Sequence, residues 1–162
     1  MQIVRGLDEQ FARLHERSMR LVQAVPFERL YWQPPRSEDA PARAFPVYSC
    51  GEHLLRSAAA VEQTFGGITV NLWDDPFEWT LPESMPAPSD VARYLEEAEA
   101  SRLRAFEFFK SDADLAREIA APAGEMRTLF SLAAETLTRA SHHQGRAYAT
   151  FRLFSDERLP RV

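Results

Sequence analysis

The sequence predicts an all-α domain, a four-helix bundle of up-down-down-up type, and three observations predict it. Four stretches carry apolar residues at the three-to-four spacing of a helix face. Capping residues and glycine or proline stops bracket them. The connection between the second and third, Gly67 to Pro88, is about 20 residues long and reaches up to ~65 Å when extended, enough to travel the length of a bundle.

The first helix is expected from Gly6 to Val25, with Leu7, Phe11, Leu14, Ser18, Leu21, Val22 and Val25 on one face and Pro26 as its stop. A proline-rich connection follows, carrying Tyr31 and Trp32 before Pro34 and Pro35. Ser49 and Glu52 have the spacing of a capping box, so the second helix begins there and runs to a stop at Gly66-Gly67. Its stripe is Cys50, Leu54, Ser57, Val61 and Thr64. In the crossover, Trp73, Phe77 and Trp79 are expected to cover one side of the domain. An extended piece is admissible only around Ile68 to Leu72. The third helix, capped by Ser89 or Asp90, carries Val91, Leu95, Ala98, Ala105 and Phe109 on one face, with Arg102 among them. The segment Asp112 to Met126 reads as a short helix or turn ending near Pro122 to Gly124.

The last helix, Thr128 to Phe154, organises the rest. At ~100° per residue, Leu129, Leu132, Ala133, Thr136, Ala140, His143, Ala147, Thr150, Phe151 and Phe154 share a stripe, so His143 points inward. Arg139 lies on its flank, and His142 faces nearly the opposite way. Ser141, His142 and His143 form no nucleophile and base pair, because adjacent helical residues diverge.

Composition narrows the function classes. The 162 residues form a single domain, with enough apolar content (45%) for its own core. A net charge of −5 without a dense basic run disfavours nucleic-acid binding. No leader pattern opens the chain and no apolar run approaches ~18 residues, which predicts a soluble, cytoplasmic protein with no membrane contact. Cys50 stands alone, so no intrachain disulfide forms; on an apolar stripe it reads as buried packing.

The stretches SCGEHLLRSAAAVEQTFGG and RASHHQGRAYATFRL, with the crossover between them, resemble the DinB/YfiT-like superfamily of bacterial four-helix bundle proteins. The resemblance covers the whole chain, including the proline-rich approach to Ser-x-Gly-Glu and the late Leu159-Pro160. It implies a divalent metal, often nickel or zinc, held by one His on the second helix and an H-x-x-x-H pair on the fourth, with positions left open as in a catalytic site. It also implies activation of a low-molecular-weight thiol in some relatives, and homodimers that pair through helix faces.

This chain departs from that pattern at the ligands. Setting His143-Gln144-Gly145-Arg146 on the family's His-Arg-Gly-Gln places the first His of the pair at Arg139, and the Ser49-Cys50-Gly51-Glu52 start places the second-helix His at Arg56. Arginine stays protonated and has no lone pair to donate.

Two readings follow, from different classes. In the first, a site shifted by one turn uses His53 and His143, with Glu135 as a carboxylate, and the protein is a metal-dependent hydrolase or thiol transferase. In the second, the metal has been lost and no cofactor is needed. Arg56, Arg139 and His143, with Arg102 as a further contributor, then line a pocket for the carboxylate or phosphate of a small anionic molecule, or pack a structural core. Local ion pairs are the plainer fate of those arginines, Glu52 with Arg56 and Glu135 with Arg139. The residues favour the metal-free reading.

Overall fold

The computed structural model describes residues 1–35, 47–76, 80–122 and 124–158. The expectations for Phe77, Trp79 and Leu159-Pro160 lie outside the described residues. Four helices dominate: α1 (Gln2–Ala24), α2 (Cys50–Val70), α3 (Pro88–Phe106) and α4 (Leu129–Phe151). Short 3-10 turns occupy Phe27–Arg29 and Asp112–Ala116, and a two-stranded sheet pairs β1 (Glu118–Ala120) with β2 (Met126–Thr128). Among the described residues, no helix is long and apolar enough to cross a membrane.

Helix α1 begins at Gln2 rather than Gly6 because its first turn is capped from far along the chain. The Asp112 carboxylate accepts the backbone N–H groups of Gln2, Ile3 and Val4 at 2.9, 3.1 and 3.0 Å. A carboxylate there satisfies three orphan donors and opposes the positive end of the helix dipole. The extra turn lets Val4 pack with Phe109, Leu115 and Leu129.

Helix α2 starts as expected. Ser49 Oγ accepts the Glu52 N–H, and the Glu52 carboxylate accepts the Ser49 N–H at 2.7 Å. It does not stop at Gly66-Gly67, and the piece around Ile68 to Leu72 is mostly helix, not extended. The stop is Asn71: its N–H still bonds the Gly67 carbonyl at 3.0 Å, and its left-handed backbone (φ 56°) turns the Leu72 N–H back to the Gly66 carbonyl at 3.5 Å. Gly67 serves another purpose: a Cβ there would lie 2.3 Å from the Trp73 ring, so only glycine lets the indole fold back onto the helix.

Helix α3 is capped two to three residues earlier than the Ser89 or Asp90 positions suggest. Ala87 takes the cap position, Pro88 opens the first turn, and the Asp90 carboxylate accepts the Ala87 N–H at 3.1 Å. The Asp112–Met126 segment is also corrected. After a 3-10 turn it forms an antiparallel hairpin, Glu118 opposite Thr128 and Ala120 opposite Met126, turned through Gly124 at φ 78°.

The core runs through all four helices. At one end Leu21, Val22, Leu54, Leu55, Val91, Leu95, Ala147 and Phe151 form one cluster. In the middle Phe11 stands edge-on to Phe65, their centroids 5.1 Å apart, with Phe106 beside both. Such a buried ring contributes about 1.5–3 kcal/mol through removal from water. Cys50 is fully buried, and burial pushes its thiol up to about 12, as suits inert packing.

One charge lies inside this core. Arg102 is 1% exposed; its Nε donates to Glu99 Oε2 at 2.9 Å, Nη2 donates to the other Glu99 oxygen, and Nη1 donates to Asp8. Phe106 packs against the guanidinium. The group is a lock between α1 and α3 rather than part of a pocket beside His143. Arg102→Ala removes the cation and leaves Glu99 enclosed without compensation. We expect a loss of ~3–5 kcal/mol in chemical denaturation, against under ~1 kcal/mol for Arg93→Ala in the exposed pair with Asp90. Equal losses would show that the Arg102 group is solvated.

Candidate functional site

The site grows from the seam between α2 and α4. Ser57 Oγ donates to the Ala140 carbonyl at 2.9 Å, and the Thr64 and Thr136 hydroxyls share a hydrogen bond of 2.6 Å. These side chains are small and satisfy each other's polar atoms, so the helices approach closely without stranding a donor in the core. One turn further along each helix the same seam brings His53 and His143 together.

His53 is buried at 3% exposure and His143 is half-buried. Their Nδ1 atoms lie 3.3 Å apart. A hydrogen bond between two imidazole nitrogens needs one proton, so the two rings are of opposite tautomer, one donating and one accepting. Burial chiefly holds His53 down to about 4, with the neighbouring His143 and Arg146 adding to it. Burial also leads for His143, reinforced by Arg56, and brings it to about 4. Both rings are neutral at physiological pH.

Beside His143 lies a cleft of about 110 Å³, lined by Arg56, Ala59, Ala60, Gln63, Asp75, Arg139 and His143. The three sequence-predicted pocket residues, Arg56, Arg139 and His143, therefore share one cavity. Arg56 is half-buried, its guanidinium 4.0 Å above the Tyr48 ring, and Tyr48 in turn stands edge-on to His53. Arg139 is exposed and donates through Nη2 to Gln63 Oε1 at 3.2 Å. The Gln63 amide nitrogen donates to the Trp73 carbonyl at 3.1 Å. Gln63 thus ties Arg139 to the strap, residues 71–76, that brings Asp75 to the cleft, and the Trp73 indole on Gly67 anchors the same strap.

Several expected pairings resolve otherwise. Glu52 turns to Ser49 in the capping box rather than to Arg56. Glu135 pairs with Arg127 at 2.6 Å and is exposed, so it serves neither Arg139 nor a site at His53 and His143. Arg127 could compete for it only because the hairpin precedes α4 directly. Arg102 is engaged at the α1–α3 contact, away from the cleft. His142 is exposed, as its helical position predicts.

The residues do not fit the three-His metal set. The positions that the resemblance assigns to two of those ligands hold Arg56 and Arg139, and among the described residues no group of three or more His, Cys, Asp and Glu side chains could hold a metal ion. His53 and His143 supply a pair and no more.

Gln63, Asp75 and Tyr48 were missed in the sequence. Gln63 had a signal, since it follows Arg56 by two turns on the same face. Asp75 had none, because a loop residue's place depends on where the strap folds. Searches of protein-family models, curated proteins and solved structures return no match for this chain.

The buried imidazoles give stability a pH dependence. Unfolded, they take up protons near 6.5; folded, near 4. Between those values the unfolded state binds more protons, so their contribution is complete above pH ~6.5, falls with pH through the window, and levels off below ~4. Discounted for the solvent that reaches His143, the loss between pH 6.5 and 4.5 is roughly 1–2 kcal/mol. Denaturation curves of the wild type and of a His53→Gln, His143→Gln double variant check this. The variant should lack that part of the slope, and parallel pH profiles would contradict it.

Proposed function

We propose that the protein is a DinB-like four-helix bundle of up-down-down-up type whose ancestral metal site has become a binding cleft for a small anion. The order of contacts supports the bundle. Positions 53, 57 and 64 of α2 meet 143, 140 and 136 of α4, so these helices run antiparallel. Glu62 of α2 meets Tyr94, and Phe65 meets Phe106, so α2 and α3 run the same way. Leu14 and Ser18 of α1 meet Gln144 while Asp8 meets Arg102, contacts that fit α1 running along α4 and against α3.

The observation that carries the functional reading is the convergence of Arg56, Arg139 and His143 on one cleft, at the positions where the resembled family holds its metal. Guanidinium groups are fixed, planar donors suited to carboxylate or phosphate oxygens. Arg56 is held flat by Tyr48 and Arg139 is aimed by Gln63, so part of the ordering cost is met before a ligand arrives. The neutral imidazole adds a hydrogen-bonding nitrogen without a charge that would vary with pH above ~5.

A second reading has one observation in its favour. Two nitrogens ~2.05 Å from one zinc at the tetrahedral angle lie ~3.3 Å apart, which is the separation of the His53 and His143 Nδ1 atoms. A hydrolase or thiol transferase built on that pair would need its remaining ligands from solvent or substrate. The two readings place the chemistry on different atoms, the guanidiniums in one and the imidazole Nδ1 atoms in the other.

Titration of the 15N-labelled protein with acetate at constant ionic strength tests the anion cleft. We expect saturable shifts in the Gln63 side-chain amide and the Arg139 Nε–H, weakened about tenfold in Arg139→Gln, as fits loss of a charge-assisted hydrogen bond. Shifts that do not saturate, or an unchanged affinity in Arg139→Gln, would refute it.

A further inference from the structure

The cleft is more selective than a pair of arginines would make it, because a carboxylate shares its wall. Asp75 lines it together with Arg56 and Arg139. With both imidazoles neutral, the formal charge of the lining is two positive against one negative, a net of one positive charge. That balance suits a monoanion. A phosphate, which carries more than one negative charge near neutral pH, would bring its extra charge against Asp75.

Asp75 also asks something of the ligand. An ionised carboxylate accepts only, and it has about four lone-pair directions, so it can keep a protein partner and still take a proton donor from a bound molecule. A ligand whose carboxylate sits on the arginines therefore meets an acceptor in the same lining. An ammonium would answer Asp75 but would stand beside two guanidiniums; a hydroxyl answers it without that repulsion. Size and floor set the rest. At ~30 Å³ per water-sized group, 110 Å³ holds about four such groups. Ala59 and Ala60 offer methyl groups rather than hydrogen bonds where the carbon skeleton would lie.

We propose that the cleft takes a short 2-hydroxy monocarboxylate, its carboxylate on Arg56 and Arg139 and its hydroxyl donating to Asp75. The proposal rests on the anion-cleft reading above and narrows it. Asp75 is the residue that selects, and Gln63 positions both sides of the cleft, since its amide holds Arg139 with its oxygen and the Trp73 carbonyl with its nitrogen.

Calorimetric titration with lactate, propionate, glycine and inorganic phosphate, on the wild type and on Asp75→Asn, tests it. Lactate and propionate differ only in the hydroxyl. Lactate should bind about tenfold tighter than propionate, because the latter offers Asp75 no donor. In Asp75→Asn that preference should shrink to about twofold or less, and phosphate should gain at least about threefold as the opposing charge disappears. Asp75 is exposed, so the substitution leaves the core untouched, and an unchanged thermal melt confirms this. Propionate equal to lactate, a lactate preference that survives in Asp75→Asn, or tighter binding of glycine or phosphate than of lactate would overturn the proposal while the anion cleft stands. Failure of all four ligands to saturate the wild type would overturn the anion cleft and this proposal together.

Discussion

The close contact of α2 with α4 is the constraint on which the rest depends. Two long helices can approach this closely only if the residues between them are small and any polar atoms among them are satisfied within the seam. Ser57 against the Ala140 carbonyl and Thr64 against Thr136 meet both conditions. The spacing they set carries on to the next turn, where two imidazoles face each other across the same gap. Without the hydroxyl contacts, the histidines would have no fixed partner and the arginines beside them no common cavity.

The electrostatics of the cleft follow from that geometry. His53 is enclosed by the seam and His143 closes its outer edge, so burial keeps both neutral before any neighbouring charge is considered. Neutral imidazoles then tolerate two guanidiniums nearby, which charged ones would repel. Each arginine is steadied by a group outside the seam: Tyr48 lies under Arg56, and Gln63 reaches Arg139 while gripping the strap that brings Asp75. The core has its own ionic group, Arg102 with Glu99 and Asp8, and it lies on the opposite side of α2's partners, between α1 and α3. The two clusters look alike in a list of charges, yet in one the cation is sealed and in the other it opens on a cleft.

Periodicity carried most of the helical architecture. The buried faces of α1, α3 and α4, the Ser49–Glu52 box and the burial of Cys50 follow from local pattern alone. What escaped was decided by contacts distant in sequence. Asp112 extends α1 across more than a hundred residues of chain. Trp73 gives Gly67 a reason to lie inside a helix, where local rules read it as a stop. The hairpin consists of two strands of three residues each, too short for alternation to register. In the site, the family resemblance put Arg56, Arg139 and His143 together, and periodicity turned His53 and His143 toward the core. It could not say that Glu135 would be captured by Arg127, that Glu52 would stay in its cap, or that Asp75 would arrive from the crossover.

The central claim is that the chemistry of this site resides in the arginines and not in a metal held by the histidines. Elemental analysis of untagged protein, purified without chelator and then equilibrated with excess nickel or zinc and desalted, tests it most directly. The account predicts nickel, zinc, iron and manganese far below one equivalent, with no difference between the wild type and His143→Ala. Near-stoichiometric metal in the wild type that disappears in His143→Ala would contradict it and place the function on His53 and His143.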